Sequence, residues 1–161
     1  MLAGTERRSR LIVPTEETAQ GNLGVACSIR RTETLETIAI ATAAFEALAD
    51  GLAGGDWEPF FSYLSEDFRF WFPAGPFRGW NHGQERARAF FATIPQVFPD
   101  GLSLTIQQIT SNATTVVFEV RSEGRMAGHP YENQAAIALE VADGKISSYR
   151  EYLGVVFQLP R

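Results

Sequence analysis

The sequence has few of the residues that hold metals or cross-link chains: one cysteine and two histidines in 161 residues. A single cysteine, Cys27, cannot form an internal disulfide, and it excludes the multi-cysteine zinc sites. The histidines, His82 and His129, have no partner at a metal-binding spacing. We therefore expect a protein that uses no metal and no other cofactor.

Positive charge is also scarce. The chain has 14 Lys and Arg against 19 Asp and Glu, a formal net charge of −5, which argues against nucleic-acid binding. No uninterrupted apolar run reaches the roughly 18 residues that span a membrane. The first residues lack the apolar core of a signal peptide. These features predict a cytoplasmic protein without nucleic-acid or membrane partners.

What is present is enough apolar sequence, 45% of the residues, to form a core without a metal or disulfide. Residues 1–31 show no sustained hydrophobic period, and we expect an N-terminal extension that is partly mobile. Residues 32–161 are expected to form one domain. The sequence therefore predicts one folded domain that follows an N-terminal extension.

Three helices are predicted at the start of this domain. Thr32 is a candidate N-cap for a helix that ends at Gly54 and Gly55. A short helix follows from Asp56, with Pro59 tolerated in its first turn. The third is predicted over 79–94, with Asn81 near its N-terminus and Pro95 ending it.

Strands dominate the rest. The segment 68–72 alternates, which places Phe68, Phe70 and Phe72 on one face. Four more runs, at 102–109, 114–124, 129–144 and 145–157, are separated by turn signals such as Asp143-Gly144. This order predicts an α+β fold: a cone-shaped, curved antiparallel or mixed sheet wrapped around three N-terminal helices.

Three stretches carry a family resemblance: GDWEPFFSYLSEDFRFWFP at 55–73, FRGWNHGQERARAFF at 77–91 and PYENQAAIALEVADGKISSYREYLG at 130–154. They resemble the nuclear transport factor 2-like superfamily, and within it the SnoaL-like polyketide cyclase branch. The resemblance implies a cystatin-like α+β barrel. It does not imply one reaction, because the superfamily includes isomerases, cyclases, dehydratases, epoxide hydrolases and non-catalytic binders.

The resemblance also excludes one reaction. The tyrosine and two aspartates that steroid isomerases of this superfamily use correspond to Leu48, Phe72 and Ile137, which are apolar. A proton shuttle on that template would have neither acid nor base. Scytalone dehydratase members need two pocket histidines, whereas His82 and His129 fall at a helix start and in a hairpin.

The resemblance to limonene epoxide hydrolases is partial. Glu151, in the ending YREYLG, falls on the position of one catalytic acid of that family. Glu119 and Arg121 look like the other two residues in reversed order. Strand alternation turns this pair outward, since Val116, Phe118 and Val120 take the inner face.

Alternation on the last strand places Tyr149, Glu151 and Leu153 toward the hollow. Desolvation there would raise the pKa of Glu151 above its ordinary value of about 4.3 and make it a candidate acid or base. Asn133 and Tyr149 would orient the substrate. The alternatives are a salt bridge between Glu151 and an arginine at the mouth, and a purely structural hydrogen bond for Asn133.

The walls of the hollow are predicted to be aromatic and apolar, which suits a small apolar or aromatic ligand. The alternative for each wall residue is plain core packing. The predicted ligand-binding residues are Trp57, Phe61, Phe70, Phe72, Trp80, Phe118, His129, Tyr131 and Ile137.

Three functional hypotheses remain open. One is a cofactor-independent cyclase, isomerase, dehydratase or hydrolase that uses Glu151. The second is a non-catalytic binding or accessory module of the same fold. The third is a chain whose aromatic side chains fill the cone, so that it works through its sheet face alone. The outer sheet face, with Arg150 and Tyr152, is predicted to form a homodimer.

Overall fold

The structure, a computed structural model, describes the backbone of residues 16–154 and the side chains of residues 31–154. The chain divides into two compact units, Met1–Thr32 and Glu33–Arg161. Residues 1–15, half of the predicted extension, lie outside the described range. The predicted domain limits therefore stay a prediction.

The helices are α1 (Glu16–Gly54), α2 (Glu58–Phe61), α3 (Gln84–Phe91) and α4 (Ile94–Val97), with a 3₁₀ turn at Gly75–Phe77. The strands are β1 (Leu64–Phe72), β2 (Gly79–His82), β3 (Leu102–Ser111), β4 (Thr115–Met126), β5 (His129–Ala142) and β6 (Lys145–Leu153). The strands form one curved six-stranded sheet in the order β2-β1-β6-β5-β4-β3. All neighbours are antiparallel except β1 and β6, which run parallel. The predicted α+β fold with a mixed sheet is confirmed.

The predicted start of the first helix is wrong. α1 begins at Glu16, and Thr32 lies inside it rather than at its N-cap. The segment 16–31 contains no proline, and its two glycines lower helix propensity without stopping the helix. The hydrophobic period begins at Thr32, which is why the sequence pattern alone placed the start there.

The predicted third helix is also too long. Residues Gly79–His82 form β2 and pair with β1, from Phe72 opposite Gly79 to Arg69 opposite His82. Gly79 and Gly83 have positive φ angles of 92° and 85°, outside the helical region, so α3 begins only at Gln84.

Two further details of this region differ from the prediction. Asn81 is not a cap: its amide nitrogen donates to the carbonyls of Phe77 (2.7 Å) and Gly79 (3.1 Å). Pro95 does not end α3, which stops at Phe91. It lies in the first turn of α4, where its missing N–H costs no hydrogen bond.

The core joins α1 to the inner face of the sheet. Ala41, Ala44, Phe45 and Leu48 follow the i, i+3, i+4, i+7 spacing and are buried. Phe45 stacks on Phe118 of β4, with ring centroids 4.3 Å apart. This packing fixes the helix across the concave side of the sheet.

The segment Arg31–Gly54 of α1 is also long and apolar enough to cross a membrane by length and composition, with a mean hydropathy of 1.3. This is weak evidence, because a core helix passes the same test, and residues such as Phe45 and Leu48 pack in the core.

Strand β6 contains an irregularity that the alternation does not show. Glu140 pairs with Ser148, whereas Val141 pairs with Ile146, so Ser147 is the extra residue. Ile146 and Tyr149 are therefore both buried in the core. Strict alternation would place Ile146 on the opposite face from Tyr149, so it fails before the irregularity, whereas Tyr149 and Glu151 keep the predicted inward direction.

Candidate ligand-binding and active site

A cavity of about 600 Å³ lies between the inner face of the sheet and the helices, within the range typical of small-molecule sites. Its walls are mostly apolar. They include Leu48, Leu52, Phe72, Phe77, Phe90, Phe91, Ile94, Val97, Phe98, Leu102, Leu104, Val120, Ala135 and Ile137.

The exposed lining residues show where the cavity opens. Pro76 follows β1, Val97 lies in α4, Met126 ends β4 and Glu132 lies near the start of β5; all four line the cavity and are exposed. The mouth is therefore bounded by the 3₁₀ turn, α4 and the β4–β5 hairpin.

Glu151 and Tyr149 face this cavity from β6, a central strand of the sheet. They are two residues apart, so the strand directs both side chains to the same face. The hydroxyl of Tyr149 donates a hydrogen bond to Oε2 of Glu151. Within residues 31–154, the second oxygen of Glu151, Oε1, has no hydrogen-bond partner.

Burial raises the pKa of the Glu151 carboxyl above its ordinary value, and the hydrogen bond from Tyr149 lowers it by less. The pKa of Tyr149 is raised well above its ordinary value, first by burial, then by the charge of Glu151 and the hydrogen bond to it. The alternative of a Glu151–arginine salt bridge is not found, since no ion pair of the described residues includes Glu151.

Asn133 lines the cavity from β5. Its Oδ1 accepts a hydrogen bond from the backbone N–H of Gln134 at 2.9 Å. Its backbone carbonyl accepts one from the hydroxyl of Ser122 at 3.2 Å. The side-chain nitrogen Nδ2 has no partner in the described part of the chain, so it keeps two free N–H groups at the cavity wall.

The structure brings only part of the predicted wall to the cavity. Phe72, Tyr131 and Ile137 line it together with Asn133, Tyr149 and Glu151. Four other predicted wall residues lie in the hydrophobic core and do not line it: Trp57, Phe61, Phe70 and Phe118. Strand alternation identifies the inner face but not which inner residues reach the empty space.

Two predicted ligand-binding residues lie outside the cavity. Trp80 is 47% exposed, and Arg69 lies over its ring at 4.9 Å, because β2 turns this side chain to the outer face. His129 is exposed at the start of β5, in the β4–β5 hairpin, and it does not line the cavity.

The sequence reasoning missed the wall formed by α3 and α4. Phe90, Phe91 and Phe98 line the cavity, and Phe98 packs edge-on against Tyr131 with centroids 5.0 Å apart. The available signal was Phe98 between Pro95 and Pro99, an aromatic residue at a chain reversal that needs a packing partner.

In the described range, no group of three or more His, Cys, Asp or Glu could hold a metal ion. The cavity can instead offer one carboxyl group, a tyrosine hydroxyl and an amide N–H₂ among aromatic rings. Such a set can transfer a proton, accept a hydrogen bond from a ligand and donate one to it.

Comparison with known proteins agrees with the fold. The SnoaL-like domain family matches residues 45–149. An NTF2-like protein from Anabaena variabilis is 46% identical, with a TM-score of 0.73 over 75% of this chain and 91% of that chain. The search of curated proteins found no match.

Two more distant structures show the fold alone. A cystatin-fold protein from Xanthomonas campestris is 19% identical, with a TM-score of 0.63 over 74% of this chain and 91% of that chain. An epoxide hydrolase of the LEH-like type from M. tuberculosis is 20% identical, with a TM-score of 0.58 over 76% of this chain and 85% of that chain.

The fold is typical of soluble proteins. The match over residues 45–149 and the 46% identity confirm the resemblance that the three sequence stretches indicated. The chain belongs to the SnoaL-like family of the nuclear transport factor 2-like superfamily.

Proposed function

We propose that this protein acts in the cytoplasm, where it binds a small apolar or aromatic molecule in the 600 Å³ cavity and converts it without a cofactor. The observation that carries the proposal is the half-buried Glu151 at the cavity wall, whose Oε1 has no partner within residues 31–154. A carboxyl group whose pKa is raised in an apolar cavity is a candidate acid or base.

Each polar group has a separate role in this proposal. Glu151 exchanges a proton with the ligand through Oε1, while the hydroxyl of Tyr149 holds Oε2 and so orients the carboxyl group. Asn133 donates a hydrogen bond from Nδ2 to a carbonyl or hydroxyl oxygen of the ligand. A cyclase, isomerase, dehydratase or hydrolase could each use this arrangement.

Two reaction templates of the superfamily receive no support. Leu48, Phe72 and Ile137 line the cavity with apolar groups at the positions that steroid isomerases use. Glu119 is exposed, and Arg121 forms ion pairs with Glu123 (3.1 Å) and Glu132 (3.0 Å). The epoxide-hydrolase set is therefore not assembled in the cavity.

The second candidate function is binding without catalysis, as a ligand-binding or accessory module. It is favoured by the shortage of a second acid or base: among the described lining residues, Glu132 is the other carboxylate, and Arg121 neutralises it at the mouth. Most proton-transfer reactions need both an acid and a base. Glu151 and Tyr149 would then only select the ligand.

Filling the cavity should abolish binding in both cases. Ala135 lines the cavity, and Ala136, the next residue of β5, faces the opposite side. We expect Ala135→Trp to weaken binding of the uncharged fluorescent probe N-phenyl-1-naphthylamine at least tenfold, because the indole takes the space of the ligand. The change is read from the fluorescence titration.

Ala136→Trp is the matched control, and it should bind the probe within about twofold of the natural protein. Circular dichroism and urea unfolding show whether both variants fold. Equal loss of probe binding in two folded variants would contradict a ligand site in this cavity.

We also propose a homodimer through the outer face of the sheet. Tyr152 is 49% exposed and stacks on Trp71 at 5.1 Å, which leaves an aromatic patch on that face. Arg150 and Arg69 lie 3.3 Å and 3.9 Å from Glu140, so both signs of charge flank the patch. A patch of this kind can pair with its own copy across a twofold axis.

Sedimentation analysis tests the dimer. The natural protein is expected at twice the 17.8 kDa chain mass, and Tyr152→Glu at the mass of one chain, because a buried unpaired carboxylate opposes association. Ala92→Glu, an exposed site at the end of α3, should remain dimeric. A monomeric natural protein at tens of micromolar would rule out the dimer.

A further inference from the structure

The charge of the cavity wall has one sign. Among the described lining residues there are two carboxylates, Glu132 and Glu151, and no lysine, arginine or histidine. The Nε of Arg121 donates to Glu132 at 3.0 Å, so the carboxylate at the mouth has a cationic partner, which it shares with Glu123. Of these two lining carboxylates, Glu151 is the one without a cationic partner among residues 31–154.

The arginines nearest in sequence do not compensate Glu151. Arg150 alternates to the outer face, where it donates to Glu140 at 3.3 Å. The one partner of Glu151, the hydroxyl of Tyr149, carries no charge. Burial raises the pKa of Glu151 by more than the hydrogen bond from Tyr149 lowers it, so the ionised form is less favoured there than in water.

Aromatic rings line the same cavity as this carboxyl group, and the faces of such rings attract cations through the ring quadrupole. The cavity-lining aromatic residues besides Tyr149 are Phe72, Phe77, Phe90, Phe91, Phe98 and Tyr131. The same chain already places cations over rings: Arg88 lies over Phe61, a core ring outside the cavity, at 4.2 Å, and Arg86 lies over Phe77, one of the lining rings, at 4.2 Å.

The expected affinity of the cavity can be compared for three classes of ligand that share an apolar body: anionic, neutral and cationic. An anionic ligand would be repelled by Glu151 and would find no basic side chain among the described lining residues. A neutral ligand would gain at most a hydrogen bond to Oε1. A protonated amine would gain that hydrogen bond, an ion pair away from bulk water and contact with the rings.

We propose that the cavity selects a hydrophobic amine in its protonated form. The ammonium group donates to Oε1 of Glu151, and the hydrocarbon or aromatic body lies among the phenylalanine rings. This inference rests on the proposed function, because it names the ligand class of the same cavity.

The proton balance gives the pH dependence of binding. The ammonium pairs with ionised Glu151, so any proton held by the carboxyl group is released to solvent when the amine binds. Affinity for the amine therefore rises as pH increases through the titration of Glu151. It falls again only where the free amine loses its own proton.

Three probes that share a naphthalene ring separate the cationic, neutral and anionic classes. They are 2-naphthylmethylamine, 2-naphthalenemethanol and the carboxylate anion of 2-naphthylacetic acid. Calorimetry at pH 7.5 should show the amine binding at least about tenfold more tightly than the alcohol, with no detectable binding of the acetate. In Glu151→Gln the amine and the alcohol should bind within about twofold of each other. Glu132→Gln, the control at the mouth, should keep the preference for the amine.

The outcomes separate this inference from the proposed function. Binding of the alcohol as tightly as the amine by the natural protein would overturn the amine preference and leave the apolar site standing. Loss of the preference in Glu132→Gln instead of Glu151→Gln would overturn it as well. Failure of all three probes to bind would overturn both proposals.

Discussion

Phe118→Ala is expected to lower the free energy of unfolding by about 3–5 kcal/mol, the usual cost of removing a fully buried phenylalanine side chain. Phe118 has no exposed surface, and its ring stacks on Phe45 of α1 at 4.3 Å with an interplanar angle of 17°. The substitution loses the burial of the ring and leaves a void between α1 and the sheet. Because packing across this contact holds α1 over the sheet, the loss should not be recovered by local collapse.

Urea unfolding followed by circular dichroism measures this change. Glu119→Ala, at the next residue of β4 on the opposite and exposed face, should change stability by no more than about 0.5 kcal/mol. A loss below about 1 kcal/mol for Phe118→Ala would mean that the helix does not pack on this strand as described.

Glu151→Gln is expected to change how stability depends on pH. Since the folded-state pKa of Glu151 is raised, the unfolded chain loses this proton first as pH increases. The stability that protonated Glu151 contributes is fully present below the unfolded pKa of about 4.3 and is lost as pH rises through the folded pKa. Each pKa unit of difference corresponds to about 1.4 kcal/mol.

Glutamine has nearly the same shape and does not titrate, so the variant avoids this loss. Relative to the natural protein, it should gain stability as pH rises from about 4.3 through the folded-state pKa of Glu151, and the gain should level off above that pKa, as read from urea unfolding at each pH. Tyr149→Phe removes the hydrogen bond that lowers the pKa of Glu151, so its stability should fall over a wider pH range, and by more in total, than that of the natural protein. A constant difference between Glu151→Gln and the natural protein would show that the carboxyl group is not perturbed.

The sequence predicted the strand half of the fold well, because the patterns there are local. Strands β4, β5 and β6 and the turn at Asp143-Gly144 follow from alternation and turn residues. Strand β2 could not be predicted, because its four residues are held by pairing with β1 and not by their own pattern. The start of α1 at Glu16 was missed since amphipathic periodicity begins only at Thr32.

The sequence predicted which side chains of the candidate site face inward, but not which inward residues line the cavity. The two-residue period placed Tyr149 and Glu151 on the inner face, and the structure directs both into the cavity. The period could not separate Phe70 and Phe118, which fill the core, from Phe72, which reaches the empty space. Whether an inner residue packs in the core or lines the cavity depends on where α3 and α4 lie over the sheet. No local sequence pattern indicates that position.

The pKa of Glu151, measured by carbon-13 NMR of labelled protein with Glu151→Gln to assign the signal, tests the central claim most directly. A half-buried carboxyl group that has a tyrosine hydroxyl but no cation as its partner among the described residues predicts a pKa above the ordinary value of about 4.3 for glutamate. A pKa at or below that value would mean an exposed or ion-paired carboxylate, and it would contradict both the catalytic proposal and the amine preference.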